Sequence, residues 1–210
     1  MPTTSASLYE QLFALSTVMK QRFVENFSGD TLNERWTTRI LRTAATFAMN
    51  DVVDGGFRIT VGAGATNEGS IDFNGIHQFS NTGAVMITVA QHSSGSGVTI
   101  PCGWCNDEVI VIDTGRTDFA NFESQGATWR NFTADASTAS ATSGSISDTA
   151  STWFVFKSEL GASDHKTTID GVLDITKTTN LPTVKLQPQL AVGNVANMTL
   201  DLRYCEAYNT

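Results

Sequence analysis

Apolar residues recur along this chain at two different periods. Between Ser7 and Phe23 the apolar positions Leu8, Leu12, Leu15 and Met19 stand four, three and four residues apart, which is one stripe of a helix. Ser7 and Glu10 have the spacing of a capping box at its start. The pattern predicts a helical arm over residues 1–23. Its stripe reads either as a face packed on its own domain or as a docking and oligomerising seam, a short a/d repeat that Arg22 interrupts.

From Val24 onward the period falls to two. Short runs rich in β-branched and aromatic residues predict strands at Trp36–Leu41, Phe57–Val61, Ile71–Phe73, Ile76–Phe79 and Val85–Ala90. The same grammar continues at Glu108–Asp113, Thr128–Phe132, Thr152–Leu160, Thr167–Ile169, Val172–Thr176, Val184–Val192 and Met198–Tyr208. Gly55-Gly56, Asn74-Gly75 and Asn81-Thr82-Gly83 supply turns between them, and Asp170-Gly171 is a two-residue hairpin signal. Many short strands without intervening helices imply an all-β antiparallel sandwich over residues 24–210, carrying a short N-terminal α-helix. Thr133 to Ser151 departs from the pattern, being almost entirely Ala, Ser, Thr, Gly and Asp. It reads as a long surface loop or as edge strands crossing at a polar face.

Composition narrows the class. A chain of 210 residues with 40% hydrophobic content is long enough to bury a core without disulfides. Lys plus Arg number 13 against 21 Asp plus Glu, a formal net charge of -8. That balance argues against nucleic acid, whose phosphates need clustered cations, and against an anionic membrane surface. Charged residues are only 16% of the chain; Thr, Ser, Asn and Gly stand in their place. No apolar stretch reaches the ~18–20 residues of a transmembrane helix, and no basic leader precedes one, so the expected site of synthesis is a cytoplasm.

Several segments resemble the concanavalin-A-like (lectin/glucanase, laminin-G-like) jelly rolls. Phe27-Ser28-Gly29-Asp30-Thr31-Leu32-Asn33-Glu34-Arg35-Trp36 is similar to their opening strand. Trp153-Phe154-Val155-Phe156-Lys157-Ser158-Glu159-Leu160 is similar to their W-x-x-[YF]-x-[IV]-x strand, and Thr168-Ile169-Asp170-Gly171-Val172-Leu173 to their Y-[IV]-D-G hairpin. Leu200 to Asn209 resembles their terminal strand. This fold hosts lectins, hydrolases and adhesion modules. The blend of N-terminal helix and Thr/Asn/Gly-rich jelly roll looks most like bacteriophage virion proteins. That resemblance implies a non-enzymatic capsid decoration or head-fibre component on the virion surface. Its partners would be a major capsid or tail protein and further copies of itself, with a trimer as the implied oligomer. The alternatives are a carbohydrate-binding tail or receptor-binding module and, less favoured, a glycan-active enzyme.

Candidate chemistry is sparse. The glucanases of this fold carry a Glu-x-Asp-x-x-Glu strand, and none occurs here. Glu108 and Asp113 are an odd number of residues apart, so a strand would point them to opposite sides. Cys102-Gly103-Trp104-Cys105 has redox spacing but follows Pro101 and no helix pattern, which favours buried or turn cysteines, Cys205 included. His77, His92 and His165 have no serine or cysteine elbow beside them. Asn106, Asp107, Asp113 and Asp118 are the oxygen donors a structural calcium would use, and no other cofactor is expected. Trp104 and Trp129 are the candidate ligand-binding aromatics, weighed against the reading that both are core.

Overall fold

The computed structural model describes residues 21–41, 44–50, 56–64, 67–76, 78–93, 102–106, 118–124, 127–136, 138–193 and 196–210. The stripe of Leu8, Leu12, Leu15 and Met19 lies outside the described residues. The chain runs through β1 (Arg22–Glu25), β2 (Thr37–Leu41), β3 (Ala45–Met49), β4 (Phe57–Val61), β5 (Glu68–Asp72), β6 (Ala84–His92), β7 (Cys102–Cys105) and β8 (Phe119–Ser124). It continues through β9 (Thr128–Asp135), β10 (Thr138–Ser147), β11 (Phe154–Leu160), β12 (His165–Ile169), β13 (Val172–Lys177), β14 (Gln187–Gly193) and β15 (Met198–Asn209). Arg22 and Phe23, expected at the end of the helical arm, are strand residues instead. They pair with Tyr208 and Ala207, and Phe23 is buried against Trp36 and Phe73. Ladder bonds and aromatic burial outweigh the helical spacing there.

Every strand pairing is antiparallel, and the strands form two sheets. The first has the order β13-β12-β11-β6-β15-β4-β3, with β1 added alongside β15. The second has the order β10-β9-β8-β7-β14-β5-β2. The molecule is thus an all-β antiparallel sandwich. Asp170 and Gly171 both adopt positive φ, at 49° and 82°, and turn β12 directly into β13 as their sequence demands. Of the run expected at Ile76–Phe79, His77 lies outside the described residues, and the described ones form no strand; Phe79 makes an isolated bridge to Leu186. The Thr133–Ser151 stretch resolves as the end of β9 and all of β10, an edge strand whose Ala, Ser and Thr side chains are mostly exposed. A hydroxyl-rich edge offers little apolar surface for a further strand.

Aromatic rings join the two sheets at two places. Phe122 of β8 stacks on Phe156 of β11 with centroids 4.2 Å apart, and Trp129 meets Phe156 edge-on at 4.6 Å. Toward β1, Phe23, Trp36 and Phe73 form a T-shaped trio with centroids 4.8–5.4 Å apart. Such pairs add about 0.5–1.5 kcal/mol each beyond the area they bury.

Where β9 and β10 approach β12 and β13, the space between the sheets is polar. Thr167 donates to the Asn131 amide oxygen, whose Nδ2 donates to the His165 carbonyl, and Ser158 shares a 2.8 Å hydrogen bond with His165 Nε2. Asp174 Oδ1 accepts from Ser145 N, Ser145 Oγ and Ile146 N, tying β13 across to the irregular stretch of β10 between Ser143 and Ser147. Gly144 is required beneath this clamp, because a Cβ there would lie 1.8 Å from Asp174 Oδ2. Asp174→Ala should cost about 1–2 kcal/mol in urea unfolding, and Gly144→Ala a similar amount by displacing the same carboxylate. Because both act on one clamp, the double variant should cost no more than the worse single one.

Burial holds the His165 imidazole down at about 3, and the charge of Asp164 offsets this only in part. The unfolded chain takes up a proton near pH 6.5 that the folded chain refuses. Stability is therefore complete above that pH and falls as pH drops toward 3, by up to about 1.4 kcal/mol per pH unit. Urea melts between about pH 7 and pH 4 should show this slope, and His165→Asn should flatten it.

Candidate functional site

The pleat gives the second sheet an inner face toward the first sheet and an outer face away from it. Trp104, Cys102, Phe122, Trp129, Leu190 and Ile71 point inward and belong to the main core. Trp104 and Trp129, candidates for ligand stacking, are 0% and 1% exposed. Phe79 lies against Trp104, and Phe154, Phe156, Phe122 and His92 surround Trp129. Neither ring offers a free face, so both are withdrawn as binding residues; they are core.

Cys102-Gly103-Trp104-Cys105 is β7 itself. Three residues apart on a strand, its cysteines point to opposite faces: Cys102 into the main core, Cys105 into a small cluster with Phe119, Ala134 and Phe132. The pair therefore cannot act together as a dithiol. All three cysteines are buried. Burial pushes the Cys102 thiol up to about 12 and raises Cys205 as well.

Two buried serine–histidine groupings also lie inside the sandwich. Asp148 sits between Ser124 and His92, accepting from Ser124 and bonding His92 Nε2 at 2.5 Å. The aspartate, rather than the histidine, holds the serine, so the order is wrong for activating a nucleophile. Ser158 and His165 are both 0% exposed. Of the proposed calcium donors, Asp107 and Asp113 lie outside the described residues. Asn106 Oδ1 accepts from Asp118 N, and Asp118 Oδ1 accepts from Thr183 N, so both tie turns together. Among the described residues no three His, Cys, Asp or Glu side chains converge as a metal site.

The outer face of the second sheet is different. Its register sets Phe132, Asn121, Gly103, Gln189, Asp72 and Thr37 in one row across six strands. Beside this row run Ala134, Phe119, Cys105 and Gln187 on one side. Arg130, Glu123, Ala191, Ser70 and Arg39 lie on the other. The charged members are paired: Arg39 Nε donates to Asp72 at 2.6 Å, and Arg130 to Glu123. Asn121 and Gln189 are not paired. Both are 0% exposed, and neither amide nitrogen nor amide oxygen of either has a hydrogen-bond partner. Ser70 Oγ is in the same condition.

Gly103 lies between the two amides. Its φ is +155°, and an added Cβ would meet the Ala120 carbonyl at 2.4 Å and Asn121 Oδ1 at 2.8 Å. The Asn121 side chain therefore lies over the glycine. Sequence reasoning passed over these residues because it looked for exposed aromatics and paired acids. The available signal was polar residues at alternate positions of apolar strands, as in Phe119-Ala120-Asn121-Phe122-Glu123 and Gln187-Pro188-Gln189-Leu190.

No protein-family model matches the chain, and no curated protein is similar to it in sequence. Solved structures are similar to it in fold. A GlcNAcα1-4Gal-releasing endo-β-galactosidase from Clostridium perfringens superposes with a TM-score of 0.67 at 15% identity, over 91% of this chain and 63% of that one. The Bacillus licheniformis β-glucanase does so with a TM-score of 0.65 at 12% identity, over 90% of this chain and 98% of that one. The Emp47p carbohydrate recognition domain reaches 0.63 at 11% identity, over 90% and 94%. What the chain shares with them is the fold, a two-sheet antiparallel β-sandwich consistent with a jelly roll. The chain spans less than two thirds of the endo-β-galactosidase.

These similarities correct two expectations. The fold neighbours are mostly glycoside hydrolases and transglycosylases, and nothing connects the chain with virion proteins. The assignment as a non-enzymatic phage structural protein is withdrawn, and with it the exclusion of enzyme activity.

The buried thiols give a direct check on this geometry. A thiol reagent such as Ellman's should titrate none of the three cysteines promptly in the folded chain and all three in urea, since the thiolate is the reacting form. Prompt reaction of Cys105 alone would show that the outer face is open around it.

Proposed function

We propose that this protein is glycan-active, engaging carbohydrate on the outer face of its second sheet around Asn121, Gly103 and Gln189. The observation that carries the reading is the pair of buried amides without partners on either side of a glycine. Side-chain amides offer both donors and acceptors, the set needed by sugar hydroxyls, which themselves donate and accept. An unpartnered buried polar group costs about 1–3 kcal/mol, a cost that ligand hydroxyls would remove. The printed names of the fold neighbours, an endo-β-galactosidase, a β-glucanase and a carbohydrate recognition domain, support the same class of ligand.

A second reading, cleavage of the bound glycan, is favoured by Glu123. It lies on the same face of β8 as Asn121, one pleat further along. Glycosidases use two carboxyl groups about 5–9.5 Å apart. Asp72 is on β5, three strands from β8, roughly 14 Å away at the usual strand spacing. A second carboxylate at catalytic distance would therefore have to come from elsewhere in the chain.

Glycan-array binding and release of reducing ends from polysaccharides, both on the full chain, test the two readings together. Binding should weaken about tenfold or more in Asn121→Ala and in Gln189→Ala, the loss expected for one or two hydrogen bonds. Under the cleavage reading, Glu123→Gln abolishes release while retaining binding. A chain that neither binds any arrayed glycan nor releases reducing ends defeats both.

A further inference from the structure

The chain contains one Asn-Gly dipeptide, Asn74-Gly75, and it forms the turn that leaves β5. φ is 54° at Asn74 and 75° at Gly75, and Ile76 N donates to Phe73 O at 3.1 Å. Two positive φ values inside one such hydrogen bond make a type I′ turn, whose first central residue has ψ of about +30°. Asn74 is exposed at the tip. Side chains from three strands hold this turn. The buried Asp72 of β5 accepts from Asn74 N at 2.7 Å and from Arg39 Nε at 2.6 Å. Arg39 of β2 also donates from Nη2 to Asn74 Oδ1 at 2.8 Å, and Gln187 of β14 accepts from Gly75 N at 2.9 Å.

An exposed Asn followed by Gly carries its own chemistry. The Gly75 nitrogen is a nucleophile with no side chain on its own residue to obstruct it, and the Asn74 amide carbon is the electrophile. Attack forms the N–Cγ bond of a five-membered succinimide, the Cγ–Nδ2 bond breaks, and ammonia departs with the proton that Gly75 N loses. Water then adds to either ring carbonyl and breaks its bond to nitrogen, leaving aspartate or isoaspartate at position 74. In the closed turn this reaction is blocked. With ψ about +30° the Gly75 nitrogen lies anti to Asn74 Cβ across the Cα–C bond, turned away from Cγ. Bringing the two atoms together requires rotation about that bond, which breaks the contacts of Gly75 N with Gln187 and of Ile76 N with Phe73. Arg39 meanwhile anchors the Asn74 side chain itself.

We propose that Asn74-Gly75 is a self-modifying site, gated by Arg39 and Gln187, that converts to aspartate or isoaspartate through local opening of the turn. Isoaspartate lengthens the main chain by one carbon and no longer fits the two-residue turn, so the step is one-way. It releases the corner of the second sheet where Asp72 and Gln187 stand in the outer-face rows. The inference is independent of the carbohydrate reading.

The test is incubation of the full chain at neutral pH, folded and in urea, followed by peptide mapping for ammonia loss and for isoaspartate. In urea Asn74 should convert ahead of Asn180 and Asn197, which share its positive φ in the folded chain but precede Leu181 and Met198. Folding should slow Asn74 at least about tenfold, because only the opened fraction reacts. Arg39→Ala and Gln187→Ala should each restore about tenfold of the folded-state rate, the loss of one hydrogen bond, while leaving the rate in urea unchanged. Arg39→Lys, which keeps the charge without the fork that reaches both Asp72 and Asn74, serves if the alanine variant fails to fold and should also be faster. Each acceleration should exceed any loss of global stability seen in urea melts, since only the turn needs to open. Equal rates folded and unfolded, variants no faster than the parent chain, or an acceleration fully matched by global destabilisation overturns the inference.

Discussion

Burial of both faces of β7, β8 and β14 is the constraint on which the rest of the molecule depends. A sheet strand usually spends one face on the core and the other on water. Here every side chain of these central strands must find its partners within the protein. The inner face does so with Trp104, Phe122, Leu190 and their neighbours from the first sheet. The outer face uses apolar clustering around Phe119 and ion pairs at Asp72–Arg39 and Glu123–Arg130. Among the described residues of this outer face, Asn121, Gln189 and Ser70 carry buried polar atoms without a hydrogen-bond partner.

The sandwich closes differently at the edge where β10 and β13 approach each other. Among the described residues no aromatic pair bridges the sheets there. Instead hydroxyls, amides and the Asp174 carboxylate bond across the gap, and Lys177 reaches Thr142 at 3.2 Å. This arrangement leaves His165 neutral and fully buried in a polar seam, supported through Nε2 by Ser158. The seam also explains the composition of β10. Short hydroxyl side chains let the edge strand approach β13 closely, where longer charged ones would hold it off.

How much of this was legible in the sequence follows from the same division. Strands with one buried face, such as β4, β9 and β11, alternate visibly, and the predicted runs overlap them closely. The Asp170-Gly171 hairpin was legible because its positive φ values restrict the residues that fit. Strands β7 and β8 were missed because burial on both sides erases the alternation, and Cys-Gly-Trp-Cys then reads as a turn or redox motif. Strand β10 was left open between loop and edge strand because Ala, Ser and Thr carry no period when their partner surface is polar. Strand β1 was partly absorbed into a helical stripe, since spacing alone carries no knowledge of the ladder that β15 offers. For the site, the aromatic signal led to Trp104 and Trp129, which the pleat turns inward. The informative residues were amides whose meaning depends on having no partner, a property only the assembled sheet reveals.

Binding and cleavage ask different things of this one outer face. Binding would need complementary donors and acceptors, and the polar groups beside Gly103 belong to strands rather than loops. Cleavage also needs two carboxyl groups at a set separation, and strand geometry limits where the second can arise. On β8 itself the positions that share a face with Glu123 are Asn121 and Phe119, so no second carboxylate comes from that strand. The adjacent strand β9 presents Arg130 and Phe132, and Arg130 already holds Glu123. On the other side, β7 presents Gly103 and Cys105. Any chemistry that uses Glu123 must therefore recruit its partner from a segment that comes down over the sheet.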